Sequence, residues 1–148
     1  PEAEVTATDI SPEALEVAAI NVARYGLGQR VQLVETDHAG GLQGPFDLII
    51  SNPPYVPADE IAELPPEYKR EPVLGLVSGS DGLDSARRIL QDAPSLMHAD
   101  SVLILEVGAQ WEALERAFPE LPFTWLEFEQ GGTGVALLHA ADLQRTGQ

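Results

Sequence analysis

Asn52-Pro53-Pro54-Tyr55 is the part of this sequence that points most directly to chemistry. A proline restricts the residue before it to extended backbone, so Pro53 fixes Asn52, Pro54 fixes Pro53, and the turn is stiff before any ligand arrives. Two acceptors are thereby set in space, the Asn52 side-chain oxygen and the Pro53 carbonyl. Each can take one hydrogen of a planar NH2 group, with the Tyr55 ring as a flat wall beside it. One face of the nitrogen is then left open to an electrophile. A proline pair also breaks a strand without doing chemistry, and both readings stand on these residues alone.

Two carboxylates come earlier. Asp9 closes one expected strand ahead of a helix, where a carboxylate can accept hydroxyl hydrogens from a ribose. Asp37 closes the next expected strand and could accept from an adenine amino group. Either is equally at home as a cap or turn residue. His38 follows directly and could pack against the adenine or be an exposed loop residue. His98 and His139 are far apart in sequence and share no metal-ligand spacing, so no metal is expected.

The elements that would carry these groups alternate β-branched runs with amphipathic segments, the pattern of an α/β fold with a mostly parallel sheet. Strands are expected at Val5–Thr8, ending at Asp9, at 31–34 and at Phe46–Ser51, whose unbroken apolar centre suggests cover on both faces. Between the first two, Ser11, Pro12 and Glu13 mark a helix start and Gly26 its stop, with Leu15, Ala18, Ala19 and Val22 as the buried face. Residues 52–81 are irregular and proline-rich, and long ordered loops are usually functional. A helix is expected from Leu83 to Met97, a strand over 102–107, a helix from Trp111 to Phe118, and an antiparallel hairpin of 123–128 with 135–139. No linker divides residues 1–148, so one domain is expected.

The 148 residues include no Cys, which excludes disulfides and thiolate metal sites. No apolar run approaches the roughly 18 residues of a membrane span, and Pro1-Glu2-Ala3-Glu4 lacks a signal-peptide layout. A cytoplasmic, soluble protein is the expectation. A net charge of −16 speaks against gripping a nucleic-acid backbone and favours basic partners, although acidity also serves solubility.

Asp9, Asp37 and Asn52-Pro53-Pro54-Tyr55 together resemble the motifs of S-adenosylmethionine-dependent methyltransferases that modify planar amino groups. The four-residue signature is shared by adenine methyltransferases and HemK-type protein glutamine methyltransferases. Its surroundings are similar to the glutamine enzymes: Tyr55-Val56, Leu64-Pro65-Pro66-Glu67-Tyr68, Glu71-Pro72, Leu74-Gly75-Leu76, the run 78–83 and Arg87-Arg88-Ile89-Leu90. The tail over 122–128, with Gly131-Gly132 and Gly134-Val135, is similar to the branch acting on large-subunit ribosomal protein three.

The resemblance implies a Rossmann-like class I methyltransferase sheet, mostly parallel with a C-terminal antiparallel hairpin. It implies S-adenosylmethionine as cofactor, held by Asp9, Asp37, His38 and Asn52. Asn52 and Pro53 become catalytic acceptors in a substrate site completed by Pro54 and Tyr55. The implied reaction is methyl transfer to a glutamine side-chain amide in a basic ribosomal protein, with no direct nucleic-acid or membrane binding. Adenine amino-methylation of DNA or RNA is the alternative enzyme reading, and a non-catalytic fragment the alternative class. A dinucleotide oxidoreductase, conceivable from Asp9 alone, would need a Gly-x-Gly-x-x-Gly that is absent.

In such enzymes a first strand and glycine-rich loop precede the acidic strand end, and eight residues precede Asp9 here. Residues 1–148 therefore resemble the C-terminal portion of the catalytic domain, and alone are expected to be inactive. In the family's sheet the first strand lies between the strand ending at Asp9 and the strand ending at Ser51. Its absence would leave two unpaired edges. These are expected to pair with each other, with another chain or a missing N-terminal half, or not to order.

Overall fold

A computed structural model describes residues 2–65, 68 and 72–146, so Pro66, Glu67 and Glu71 of the motif stretch lie outside the described residues. The chain divides into two compact units, residues 1–42 and 43–148.

The first unit holds β1 (Val5–Asp9), α1 (Pro12–Arg24) and β2 (Val31–Glu35). The strands run parallel, from Val5 opposite Val31 to Asp9 opposite Glu35. The Ser11 hydroxyl accepts from the Ala14 amide at 3.1 Å, Pro12 opens the helix, and Glu13 and Arg24 suit its dipole. The expected buried face is corrected by the structure. Leu15, Ala18 and Val22 are half-buried, Ala19 is exposed, and Val17 and Ile20 are 59% and 66% exposed. Two strands about 5 Å apart are narrower than a helix about 10 Å across, so this pair cannot cover the helix it carries.

The second unit holds β3 (Phe46–Ser51), α2 (Asp84–Leu96), β4 (Met97–Glu106), α3 (Trp111–Ala117), β5 (Thr124–Trp125), β6 (Val135–His139) and α4 (Ala140–Thr146). The sheet order is β3-β4-β6-β5, with β3 parallel to β4 and β6 antiparallel to both of its neighbours. The parallel pairs and the C-terminal antiparallel hairpin are those expected. On α2, the helical spacing of Ala86, Ile89, Leu90 and Ala93 lays an apolar stripe against Leu103, Leu105 and Leu138. Leu103, Leu105, Val107 and Leu114 are fully buried. Trp125 stacks on Phe123 and meets Trp111 edge-on, closing one side of the core.

Helix α4 has no counterpart in the sequence reading. It is too short for its periodicity to register, yet Ala140 and Leu143 anchor it in the core.

One further expectation is corrected. β3 is not covered on both faces: Ile49 packs against the core, while Leu48 and Ile50 are 49% and 69% exposed. The helices of this unit reach only the Ile49 side. Among the described residues β1 pairs with β2 alone and β3 with β4 alone, and all four strands are ordered.

At the starts of β3 and β4 the buried Ser101 hydroxyl donates to the Phe46 carbonyl at 2.6 Å and accepts from the His98 amide at 3.0 Å. The His98 ring nitrogen Nε2 sits 2.9 Å from Asp47. These bonds pin the pair across a register shift between Phe46 and Leu48. They lie at the opposite end of β3 from Asn52.

Candidate functional site

Parallel pairing brings the ends of β3 and β4 to one edge of the sheet, the place where open α/β sheets bind ligands. Ser51, the last residue of β3, lies opposite Leu105, and Asn52 follows it with an exposed side chain. Pro53 is buried and Pro54 and Tyr55 are half-buried, so the acceptor-bearing turn is anchored by its proline while Asn52 stays exposed.

The irregular stretch after it returns to its own start. The Val56 amide donates to the Leu76 carbonyl at 2.8 Å, the Ser78 amide to the Val56 carbonyl at 3.0 Å, and the Ala58 amide to the Gly79 carbonyl at 2.9 Å. This closure brings the Ser78–Leu83 run beside Tyr55, and Gly82 lies against the Tyr55 backbone. Gly108, just beyond β4, lies against the Tyr55 ring.

The same run starts α2, whose N-cap Leu83 offers no capping side chain. Two neighbours substitute. The buried Ser78 hydroxyl accepts from the Ser85 amide at 2.7 Å, and Asp81 accepts from the Leu83 amide at 3.1 Å. Asp81 also takes both arms of the Arg87 guanidinium, at 3.0 and 2.5 Å. The Arg87 hydrogen bonds hold the Asp81 carboxyl below its ordinary value, and Asp81 in turn raises Arg87. The sequence reading named Arg87 and the 78–83 run as motif without foreseeing this brace.

In the first unit, parallel pairing places Asp9 and the residues after Glu35 at one end of the β1–β2 pair. Asp9 is exposed, and one carboxylate oxygen accepts from the Ser11 amide at 2.8 Å, the local turn role that its type allowed. The residue stays exposed, so capping and ligand binding are compatible. The Asp37 side chain is 62% exposed. His38 is half-buried and takes φ of +53°, a left-handed conformation uncommon for a residue with a Cβ. Its Nδ1 lies 2.6 Å from Asp37 Oδ1, close enough for charge pairing when the ring is protonated. The contact lacks hydrogen-bond geometry, however, and Nδ1 is a buried polar atom without a hydrogen-bond partner. Asp9 and Asp37 thus present exposed carboxylates, while the His38 Nδ1 is buried beside Asp37.

The site residues thus fall into two groups: Asp9, Asp37 and His38 in residues 1–42, and Asn52, Pro53, Pro54 and Tyr55 in residues 43–148. Among the described residues no group of three or more His, Asp or Glu side chains is placed to hold a metal ion. Gly108 was missed in the sequence because a glycine after a strand reads as a turn, and its contact with a residue 53 positions earlier has no local signal.

The methyltransferase small domain family matches residues 1–63. The chain is 51% identical, over 138 residues, to the ribosomal protein uL3 glutamine methyltransferase of Neisseria gonorrhoeae, covering 93% of this chain and 46% of that protein. It is 50% identical to the protein of the same name from Bradyrhizobium diazoefficiens, covering 97% and 45%. The chain spans about half the length of the curated relatives it matches. Among solved structures, a Pyrococcus furiosus methyltransferase superposes with a TM-score of 0.64 at 20% identity, covering 93% of this chain and 62% of that one. An SAH-bound methyltransferase of Podospora anserina does so with a TM-score of 0.53 at 18% identity, covering 93% and 61%. At such identities these two speak for the fold alone. Sequence and fold agree: the chain has the fold of the class I methyltransferases and is similar over nearly all of its length to the ribosomal protein uL3 glutamine methyltransferases.

Proposed function

We propose that residues 1–148 are the C-terminal portion of the catalytic domain of a cytoplasmic S-adenosylmethionine-dependent protein glutamine methyltransferase acting on a ribosomal protein. The observation that carries this reading is Asn52-Pro53-Pro54-Tyr55 at the carboxyl end of β3, with Asn52 open and Pro53 buried. The half-sequence identity to enzymes of that name supports the substrate class.

When bound, the cofactor supplies an electrophilic methyl group on a sulfonium. Asp9 would accept from the ribose hydroxyls, Asp37 from the adenine amino group, and His38 would lie against the ring. A glutamine amide is a poor nucleophile because its nitrogen lone pair is delocalised into the carbonyl. Asn52 and Pro53 address that by position: they accept the two NH2 hydrogens and turn the nitrogen so that its face meets the electrophile. The amide nitrogen would exchange one hydrogen, given up as a proton, for the methyl group that the cofactor would supply, and Asn52 and Pro53 would hold its hydrogens in place for that exchange. Orientation of this kind supplies about 7–11 kcal/mol in the most favourable cases. The Tyr55 ring confines the flat amide.

A surface of net charge −16 favours a basic ribosomal protein as partner and opposes the adenine-methylating alternative, which has to approach a phosphate backbone. The missing part of the sheet beside β1 and β3 would come from the N-terminal half of the same enzyme or from a second chain.

The test is single-turnover methyl transfer by the full-length enzyme to a glutamine-bearing substrate. Asn52→Ala removes one acceptor and leaves the stiff Pro53-Pro54 backbone. Turnover should fall by roughly a hundredfold to a thousandfold, by analogy with deleting one preorganised donor, while cofactor affinity changes little. A normally melting Asn52→Ala enzyme working at the parent rate would reduce the motif to a strand breaker and end this reading.

A further inference from the structure

The methyl-transfer reading uses Tyr55 as a wall, and the structure shows what that wall leans on. A methyl carbon built at Gly108 would stand 2.8 Å from Cε2 of the Tyr55 ring, 3.0 Å from Cζ and 3.3 Å from Cδ2. Carbon atoms in contact keep about 3.5–4.0 Å, so the ring rests on bare backbone that no other residue would leave open. Gly108 is itself backed. A methyl carbon at Gly134 would fall within the Gly108 peptide, 2.7 Å from both its nitrogen and its carbonyl carbon. The Val107 amide donates to the Gly134 carbonyl at 2.7 Å, which pins this stack where β4 ends and β6 begins. Both glycines have positive φ, +51° and +74°, so a side chain is disfavoured by backbone as well as by space.

We propose that Gly108, supported by Gly134, is a positioning residue for amide selection: it lets the Tyr55 ring sit back far enough to leave a slot beside Asn52 one planar amide thick. The inference rests on the reading of Asn52 to Tyr55 as the amide site. A side chain at Gly108 pushes the ring outward by about 1 Å, and a displacement of that size can cost about a hundredfold in rate. The slot narrows, so the protein substrate suffers and the adenosine carboxylates of residues 1–42 do not.

The experiment is a double-mutant cycle in the full-length enzyme, with Gly108→Ala placed in three backgrounds: Tyr55, Tyr55→Phe and Tyr55→Ala. Phenylalanine keeps the ring carbons that the new methyl group meets, and alanine removes them. With Tyr or Phe at position 55, Gly108→Ala should lower kcat/KM for the glutamine substrate by about tenfold to a hundredfold, partly through KM, with cofactor affinity unchanged. In the Tyr55→Ala background the further loss should be within about twofold. The backbone cost of alanine at positive φ is common to all three and cancels. An equal loss in every background, or failure to fold in every background, overturns the proposal, because the glycine would then serve the backbone alone. Folding restored by Tyr55→Ala supports it. A parent enzyme inactive on every glutamine-bearing substrate overturns the functional reading instead. Thermal melts of the same variants would then still decide whether Gly108 sets the ring.

Discussion

Asp81 illustrates how a side chain outside the acceptor turn organises the region around it. Its carboxylate joins the amide of Leu83 to the guanidinium of Arg87, fixing the run 78–83 that lies beside Tyr55. Its folded-state pKa is depressed by the Arg87 hydrogen bonds, so the stability it contributes is fully present above the unfolded carboxylate range. That contribution is lost as pH falls through the lower folded value. Asp81→Asn should therefore melt below the parent at pH 7, with a gap that closes as pH drops below about 4. The pair is half-exposed, so the gap will be small, on the order of the 0–1 kcal/mol typical of surface ion pairs. Thermal melts of both proteins from about pH 3 to about pH 7 measure it; a gap that widens toward acid would mean that Asp81 stabilises as a neutral group.

Elements were legible where a period or a punctuating residue spoke for them. Ser11-Pro12-Glu13 announced α1, the apolar stripe announced α2, and β-branched runs announced β3 and β4. Burial was less legible. Phe46–Ser51 reads as a strand covered twice, because its sequence carries the imprint of contacts that residues 43–148 supply on one side only. Of the candidate site, Asn52 to Tyr55 and the two carboxylates could be proposed from residue type and placement at strand ends. The glycine stack under Tyr55 could not, since it joins residues from three separate stretches. The exposed Leu48 and Ile50 on a strand with an unpaired edge make a surface prone to join another copy. The 148-residue chain should self-associate with rising concentration, and Ile50→Lys should reduce that association with little change in melting temperature. Sedimentation velocity checks both; a concentration-independent sedimentation coefficient for the parent chain would show that the β3 edge is protected.

Across the chain, 24 acidic residues against 8 basic ones leave a negative field, which on the proposed function would favour a basic partner. Encounter with a basic ribosomal protein should accordingly slow as salt rises, because screening shortens the reach of that field to about 8–10 Å near physiological ionic strength. Stopped-flow association measured from low to high salt tests this, and a flat profile would remove charge from target finding. The residues of the buried core run from Leu83 to Leu143, with Ile49 of β3 joining them from outside. Sequence-local contacts close sooner than distant ones, and β3 has to wait for a partner about fifty residues downstream, Phe46 meeting Met97. The helix–strand–hairpin body should therefore collapse first and β3 should dock onto it afterwards, bringing Asn52 into place as one of the last events of folding. Pulse-labelled hydrogen exchange during refolding would see the amides of Leu103 and Leu138 protected before that of Ile49. The acceptor pair would then mature only once the scaffold that aims it is already solid, so that a half-folded chain cannot present a premature active site.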